Sequence, residues 1–192
     1  EKISVSFREK LTLRLLYFTR RYLINNRTYF IMVRFYRWLS KNNLVIGSSS
    51  GEEISSVNKP KGFLKDYSDV QAKEALKSMN GFSEKLDLRT KNARLYTEFL
   101  MKNKKNHVYP ELFKNHAFLK YPLIVNRREK FFELAEKAKI PIGDWFISPL
   151  HPVEQDFSPW YFKPESHPVA KEAASKVVNL PTDTKNIQAV LK

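Results

Sequence analysis

Between Pro141 and Pro152 the chain reads PIGDWFISPLHP, which places a carboxylate, an indole and an imidazole among turn-forming prolines. At the end of a strand, Asp144, Trp145 and His151 could line a pocket for a polar, ring-shaped ligand: the indole offers a flat face, the other two offer charge and hydrogen bonds. The same residues also fit a structural reading, with Trp145 and Phe146 in the core and Asp144 capping a turn. Residue types alone leave both open. Other chemistries lack their motifs. There is no Gly-rich phosphate loop, no G-x-S-x-G elbow and no H-E-x-x-H helix. His107, His116, His151 and His167 match no zinc spacing, so no metal is expected. The absence of Cys removes disulfides, thiolate ligands and a cysteine nucleophile, and fits a reducing compartment.

Charge is unevenly placed. The 192 residues carry a net +14, and residues 1–41 hold ten Lys and Arg against two Glu, a net +8. Such a patch attracts phosphates, anionic lipid or nucleic acid. No recognisable nucleic-acid module accompanies it, so nucleic acid is not the expected partner. Leu11, Leu15, Phe18, Tyr22 and Leu23 recur at helical spacing, which predicts helix over residues 7–41 with a break at Asn25-Asn26. A basic amphipathic helix can lie on an anionic membrane surface. It can equally pack on its own protein, with arginine stems covering the apolar flank. No apolar run reaches transmembrane length. The expected location is cytoplasmic, with membrane association as the open alternative.

The elements that must position the PIGDWF stretch follow. Gly47, Ser48 to Ser50, Gly51, Pro60 and Gly62 are loop chemistry. They divide the chain into a basic helical segment (1–46), a linker (47–67) and a helix plus small domain (68–192). Ser68 and Gln71 form a capping box at the start of one long helix, Ser68 to Lys102, with Gly81 as a kink point. Its apolar face runs through Ala72, Leu76 and Met79 to Ala93, Tyr96 and Leu100. Residues 117–125 predict a strand, at a sheet edge because of Pro122. Residues 126–139 predict a helix opened by an Asn126–Glu129 capping box. Ile142 to Ile147 predicts a second strand, Pro168 to Lys176 a helix, Val177 to Leu180 a third strand, and Thr184 to Leu191 a last helix. The fold class is α+β: a three-stranded sheet with helices, preceded by a long helix and a basic helical segment.

The order of these motifs carries a resemblance. Ser68-Asp69-Val70-Gln71-Ala72 is followed by Lys-Ala-Lys-Ile-Pro-Ile-Gly-Asp-Trp-Phe, then Pro-Leu-His-Pro, His-Pro-Val-Ala and Asn179-Leu180-Pro181. From about Lys59 to Lys192 this resembles the C-terminal part of the DegT/DnrJ/EryC1/StrS sugar aminotransferases. The resemblance implies the small C-terminal domain of an aspartate-aminotransferase type fold. It also implies a homodimer, a pyridoxal phosphate cofactor, an amino-acid donor and a nucleotide-linked keto sugar, in surface polysaccharide or related glycan synthesis. The Schiff-base lysine of that family belongs to sequence before Glu1. No lysine here sits in the family's cofactor motif, so the chain is expected to be a C-terminal fragment without a catalytic residue, inactive alone.

The family often carries a G-x-N-x-R pattern ahead of this helix. Here the stretch is Gly62-Phe63-Leu64-Lys65-Asp66-Tyr67, with Leu64 at the asparagine position and Asp66 at the arginine position. Leucine cannot hydrogen-bond, and aspartate would repel a phosphate. The resemblance places Lys65 and Tyr67 near the partner's cofactor, with Lys65 as the electrostatic substitute. It places Asp144, Trp145 and His151 near the sugar nucleotide. The rival expectation is a non-catalytic membrane-surface or scaffold protein derived from the same fold, anchored by the basic helices.

Overall fold

The computed structural model describes residues 3–25, 27–42, 57–59 and 63–191. The loop residues 47–56, Pro60 and Gly62 therefore lie outside the described residues. The chain forms two compact units: Glu1–Asn80 with Ser158–Tyr161, and Gly81–Phe157 with Phe162–Lys192.

In the first unit, helix α1 (Phe7–Phe18) opens on a capping box. The Glu9 N–H donates to Ser6 Oγ at 3.3 Å, and the Ser6 N–H donates to the Glu9 carboxylate at 3.0 Å. A π-helical turn follows at Thr19–Leu23. The expected break at Asn25-Asn26 is present on the Asn25 side: Asn25 Oδ1 accepts from the N–H groups of Arg27 and Thr28 at 2.9 and 3.2 Å. Asn26 itself lies outside the described residues. Helix α2 spans Tyr29–Lys41. Helix α3 (Asp69–Met79) starts at the expected Ser68–Gln71 capping box. Lys10 of α1 pairs with Asp69 of α3 at 2.9 Å. Ile3 forms a short parallel bridge beside Lys65, with its N–H on the Leu64 carbonyl at 3.0 Å. On α1, Phe7, Leu11, Leu15 and Phe18 form an exposed apolar stripe, and α1 buries no residue.

The single helix expected over Ser68–Lys102 is two. Asn80 turns to ψ 124°, and Gly81 adopts φ +71°, outside the right-handed region that a continuous helix requires. The glycine that could have kinked the helix ends one and starts another.

Helix α4 (Phe82–Lys102) therefore belongs to the second unit, whose core it builds. Ala93, Tyr96 and Leu100 are buried against Phe113, Phe118, Tyr121 and Val178, as the helical spacing predicts. Strands β1 (Tyr121–Ile124) and β2 (Val177–Leu180) pair antiparallel, Tyr121 opposite Leu180 and Ile124 opposite Val177. Helix α5 (Arg128–Lys137) and helix α6 (Pro168–Lys176) complete this α+β unit.

Four expectations are corrected here. The sheet has two strands rather than three. Residues 142–147 contribute one bridge, Gly143 to Asn179, and Phe146 at φ +65° then takes the chain out of extended geometry. The 117–125 strand is cut to Tyr121–Ile124, since Phe118 sits at φ +43°. The Asn126–Glu129 capping box does not form, because α5 starts one residue late. Arg127 is its N-cap, and Lys130 rather than Glu129 occupies the third helical position. The last helix is only a 3-10 turn, Ile187–Ala189. The Thr184 carbonyl, which a helix would give to residue 188, accepts instead from Asn92 Nδ2 at 2.7 Å. On α5, Leu134 and Ala138 do not bury; with Phe99, Ile140 and Leu191 they line an apolar cavity of about 480 Å³.

Candidate functional site

The five candidate residues fall in different units, and each group is held by its own unit. In the second unit the loop 141–152 carries Asp144, Trp145 and His151. Gly143 and Asn179 exchange both backbone bonds, at 2.8 and 3.1 Å. A Cβ on Gly143 would stand 3.2 Å from the Asn179 Cβ, so glycine permits this close approach. The buried Asn179 amide also donates to the Trp145 carbonyl at 3.3 Å. Arg128 completes the anchorage. Its Nε donates to the Val177 carbonyl at 2.8 Å, one of its terminal nitrogens to the Asp144 carbonyl at 3.0 Å, and its guanidinium lies 5.0 Å from the Phe132 ring centre. The loop thus hangs from two side chains that grip its backbone, leaving the side chains of its tip outward.

Trp145 is 46% exposed and Phe146 51%, so the reading of these two as core is corrected. Their exposure follows from the backbone bonds at 143–145, which hold the loop on the surface of β2. The rings of Phe146 and His151 lie 5.8 Å apart at 56°. The loop's exposed rings, the Trp145 indole and the Phe146–His151 pair, can stack on a flat or ring-shaped ligand, and the indole N–H can donate a hydrogen bond to it.

In the first unit, Lys65 Nζ is paired with the Glu9 carboxylate, and this bond is the main reason Glu9 titrates below the usual carboxylate range, with the Ser6 N–H second. Tyr67 is 66% exposed and donates its hydroxyl to the Gln71 carbonyl at 3.3 Å. Leu64 is 45% exposed and brings no polar side-chain atom.

Sequence reasoning missed Arg128 and the polar seam under the Asn-Leu-Pro-Thr stretch. Arg128 had a legible signal: a cation in the first turn of a helix opposes the helix dipole and needs another partner. In the seam, Asn92 donates to the Thr182 carbonyl at 2.8 Å, the Tyr96 hydroxyl to the Pro181 carbonyl at 2.8 Å, and Thr182 Oγ1 to the Phe118 carbonyl at 2.6 Å. Thr97 and Tyr121 share a hydroxyl pair at 2.8 Å, and Tyr121 also accepts the Val108 N–H at 2.9 Å. Every one of these buried groups is satisfied, which fixes the turn leaving β2.

A helix with a Ser-Asp-x-Gln start is followed by an α+β unit whose Asn-Leu-Pro strand anchors a Gly-Asp-Trp-Phe loop. The chain belongs to the DegT/DnrJ/EryC1/StrS aminotransferase family, whose model matches residues 45–189. No curated protein and no solved structure matches the chain. At the level of the family the chemistry is that of a sugar aminotransferase using pyridoxal phosphate. Residues 64–66, where the family carries its phosphate-binding pattern, do not by themselves form a cradle for that cofactor's phosphate. The ammonium of Lys65 is engaged by Glu9, and Leu64 and Asp66 offer a phosphate no donor side chain.

Proposed function

We propose that this chain forms the C-terminal portion of a pyridoxal-phosphate-dependent aminotransferase acting on nucleotide-linked keto sugars, in surface polysaccharide or related glycan synthesis. In this reading the intact enzyme is a homodimer and takes its amine from an amino-acid donor. The Schiff-base lysine comes from sequence outside these residues. The bound cofactor supplies an electron sink. This chain supplies a wall: Asp144, Trp145 and His151 meet the sugar nucleotide, and Lys65 and Tyr67 approach the partner's cofactor.

The family match over residues 45–189 carries this reading. The loop anchored by Arg128 and Asn179 supports it, because that loop presents the indole and imidazole outward. The test is borohydride reduction of the longest natural product that contains this chain, loaded with cofactor, followed by peptide mapping. A labelled lysine outside residues 1–192 is expected; a labelled lysine within them overturns the proposal. In the same protein His151→Ala should raise KM for the sugar nucleotide, and unchanged kinetics remove His151 from the wall.

A second reading, a non-catalytic membrane-surface or scaffold protein on the same fold, is favoured by one observation. Four large apolar side chains, Phe7, Leu11, Leu15 and Phe18, are exposed on a basic helix, although Leu13, Leu16 and Tyr17 give that helix apolar residues on its other faces too. No helix among the described residues is long and apolar enough to cross a membrane. Co-sedimentation with vesicles rich in phosphatidylserine at low salt supports that reading, and its absence removes it.

A further inference from the structure

The first unit holds a cleft of about 270 Å³ that the wall described above does not use. One side is built by α1 and the π-helical turn after it, through Arg14, Tyr17, Phe18, Arg21 and Tyr22. The other side is one face of α3, through Val70, Lys73, Glu74 and Lys77, spaced three, four and seven residues apart. Three features distinguish it from a merely solvated basic face. Its charge is one-sided: four cations stand against one carboxylate, and Glu74 already lies 3.9 Å from Lys77. Its apolar part is aromatic: Phe18 and Tyr22 lie 5.0 Å apart, both more than half exposed. Its wall includes a π-turn, a rare geometry that recurs at functional sites. The two sides are tied at one end by the Lys10–Asp69 pair.

We propose that this cleft binds a mononucleotide, through its phosphate and the flat face of its base. The two walls both contribute cations, Arg14 and Arg21 from one and Lys73 and Lys77 from the other, and guanidinium and ammonium are complementary partners of a phosphate. The exposed rings offer a face on which a base can stack. The volume lies just below the usual range of ligand pockets, which suits one nucleotide rather than a larger ligand. The α1 side precedes residue 45, where the family match begins, so the site goes beyond the aminotransferase reading and does not rest on it.

Calorimetric titration of the full 192-residue chain tests this, with adenosine monophosphate, orthophosphate and adenosine as separate probes. Saturable binding of one adenosine monophosphate per chain is expected, with Kd below about 1 mM and rising with salt. Orthophosphate and adenosine should each bind at least about tenfold more weakly, since each lacks one half of the recognition. Lys73→Gln with Lys77→Gln should weaken the nucleotide by about tenfold or more. Both lysines are exposed, and unchanged helical circular dichroism will show the fold intact. Tyr22→Leu, likewise exposed, should narrow the gap between nucleotide and orthophosphate while leaving orthophosphate binding as it was. No saturable nucleotide binding, or binding indifferent to these substitutions, overturns the proposal. So does a single-stranded oligonucleotide binding more than about a hundredfold tighter per chain, which would make this a nucleic-acid face. Anionic vesicles capturing the chain through the same lysines, with no binding of the free nucleotide, would also overturn it.

Discussion

Tyr96 shows how much one buried hydroxyl decides. It is 1% exposed, donates to the Pro181 carbonyl, and sits beside the Tyr121 ring at 5.2 Å. Burial first, and the nearby Asp183 second, push its phenol well above the ordinary tyrosine range. A raised folded-state pKa means that the folded state holds this proton longer than the unfolded chain does. Its contribution to stability is therefore complete below the unfolded value and is lost as pH climbs from there toward the folded value. Thermal melts should show Tm falling from about pH 10 upward. Tyr96→Phe should cost about 1–2 kcal/mol at neutral pH by leaving the Pro181 carbonyl unpaired, and should flatten the tyrosine part of that alkaline fall. Equal slopes in the two proteins would show that other groups govern it. Arg128 acts at the same scale but on a loop. Arg128→Met should keep much of the packing on Phe132 while freeing two carbonyls. Amide exchange at Gly143 should then accelerate by about tenfold, with α5 still helical.

Among the elements, the break between α3 and α4 is the most informative. A Cβ on Gly81 would meet only Glu84 Oε2, at 3.5 Å, so space is not the obstacle. The cost of Gly81→Ala lies in φ +71° alone and should be about 1–2 kcal/mol by chemical denaturation. A neutral result would mean that the two helices fuse into one. The same element shows what the sequence could and could not reveal. Capping at Ser68, the Tyr96 face, α6 and β2 were all legible, because each depends on neighbours within a few residues. The lost 142–147 strand, the shortened last helix and the shifted start of α5 were not. Those outcomes turn on Phe146 entering the left-handed region, on Asn92 taking a carbonyl from ninety-two residues away, and on a one-residue change of frame. The loop 141–152 stood out through its residue types, whereas its anchors, Arg128 and Asn179, act through backbone atoms that no motif displays.

Over the whole molecule, burial is distributed very unequally. Among the described residues of 1–80, only Ser68 and Val70 are buried, whereas the described residues of 81–192 hold every other buried aromatic and aliphatic side chain. Local opening is governed by how much apolar area and hydrogen bonding a segment must give up. Hydrogen exchange followed by mass spectrometry should therefore find α1 and α2 exchanging within the earliest time points, with α4 and β2 the slowest. Comparable protection in both units would show that something covers α1 and α2 in solution. Pro122 bears on the molecule's behaviour toward its own kind. It faces Asn179 at a position where β1 and β2 exchange no backbone bond, because Asn179 turns its N–H and C=O to Gly143. The missing amide therefore falls on the outer margin of β1. A further strand arriving there meets a ring where it needs a donor, so growth by edge-to-edge stacking is blocked on that side without any charged guard residue.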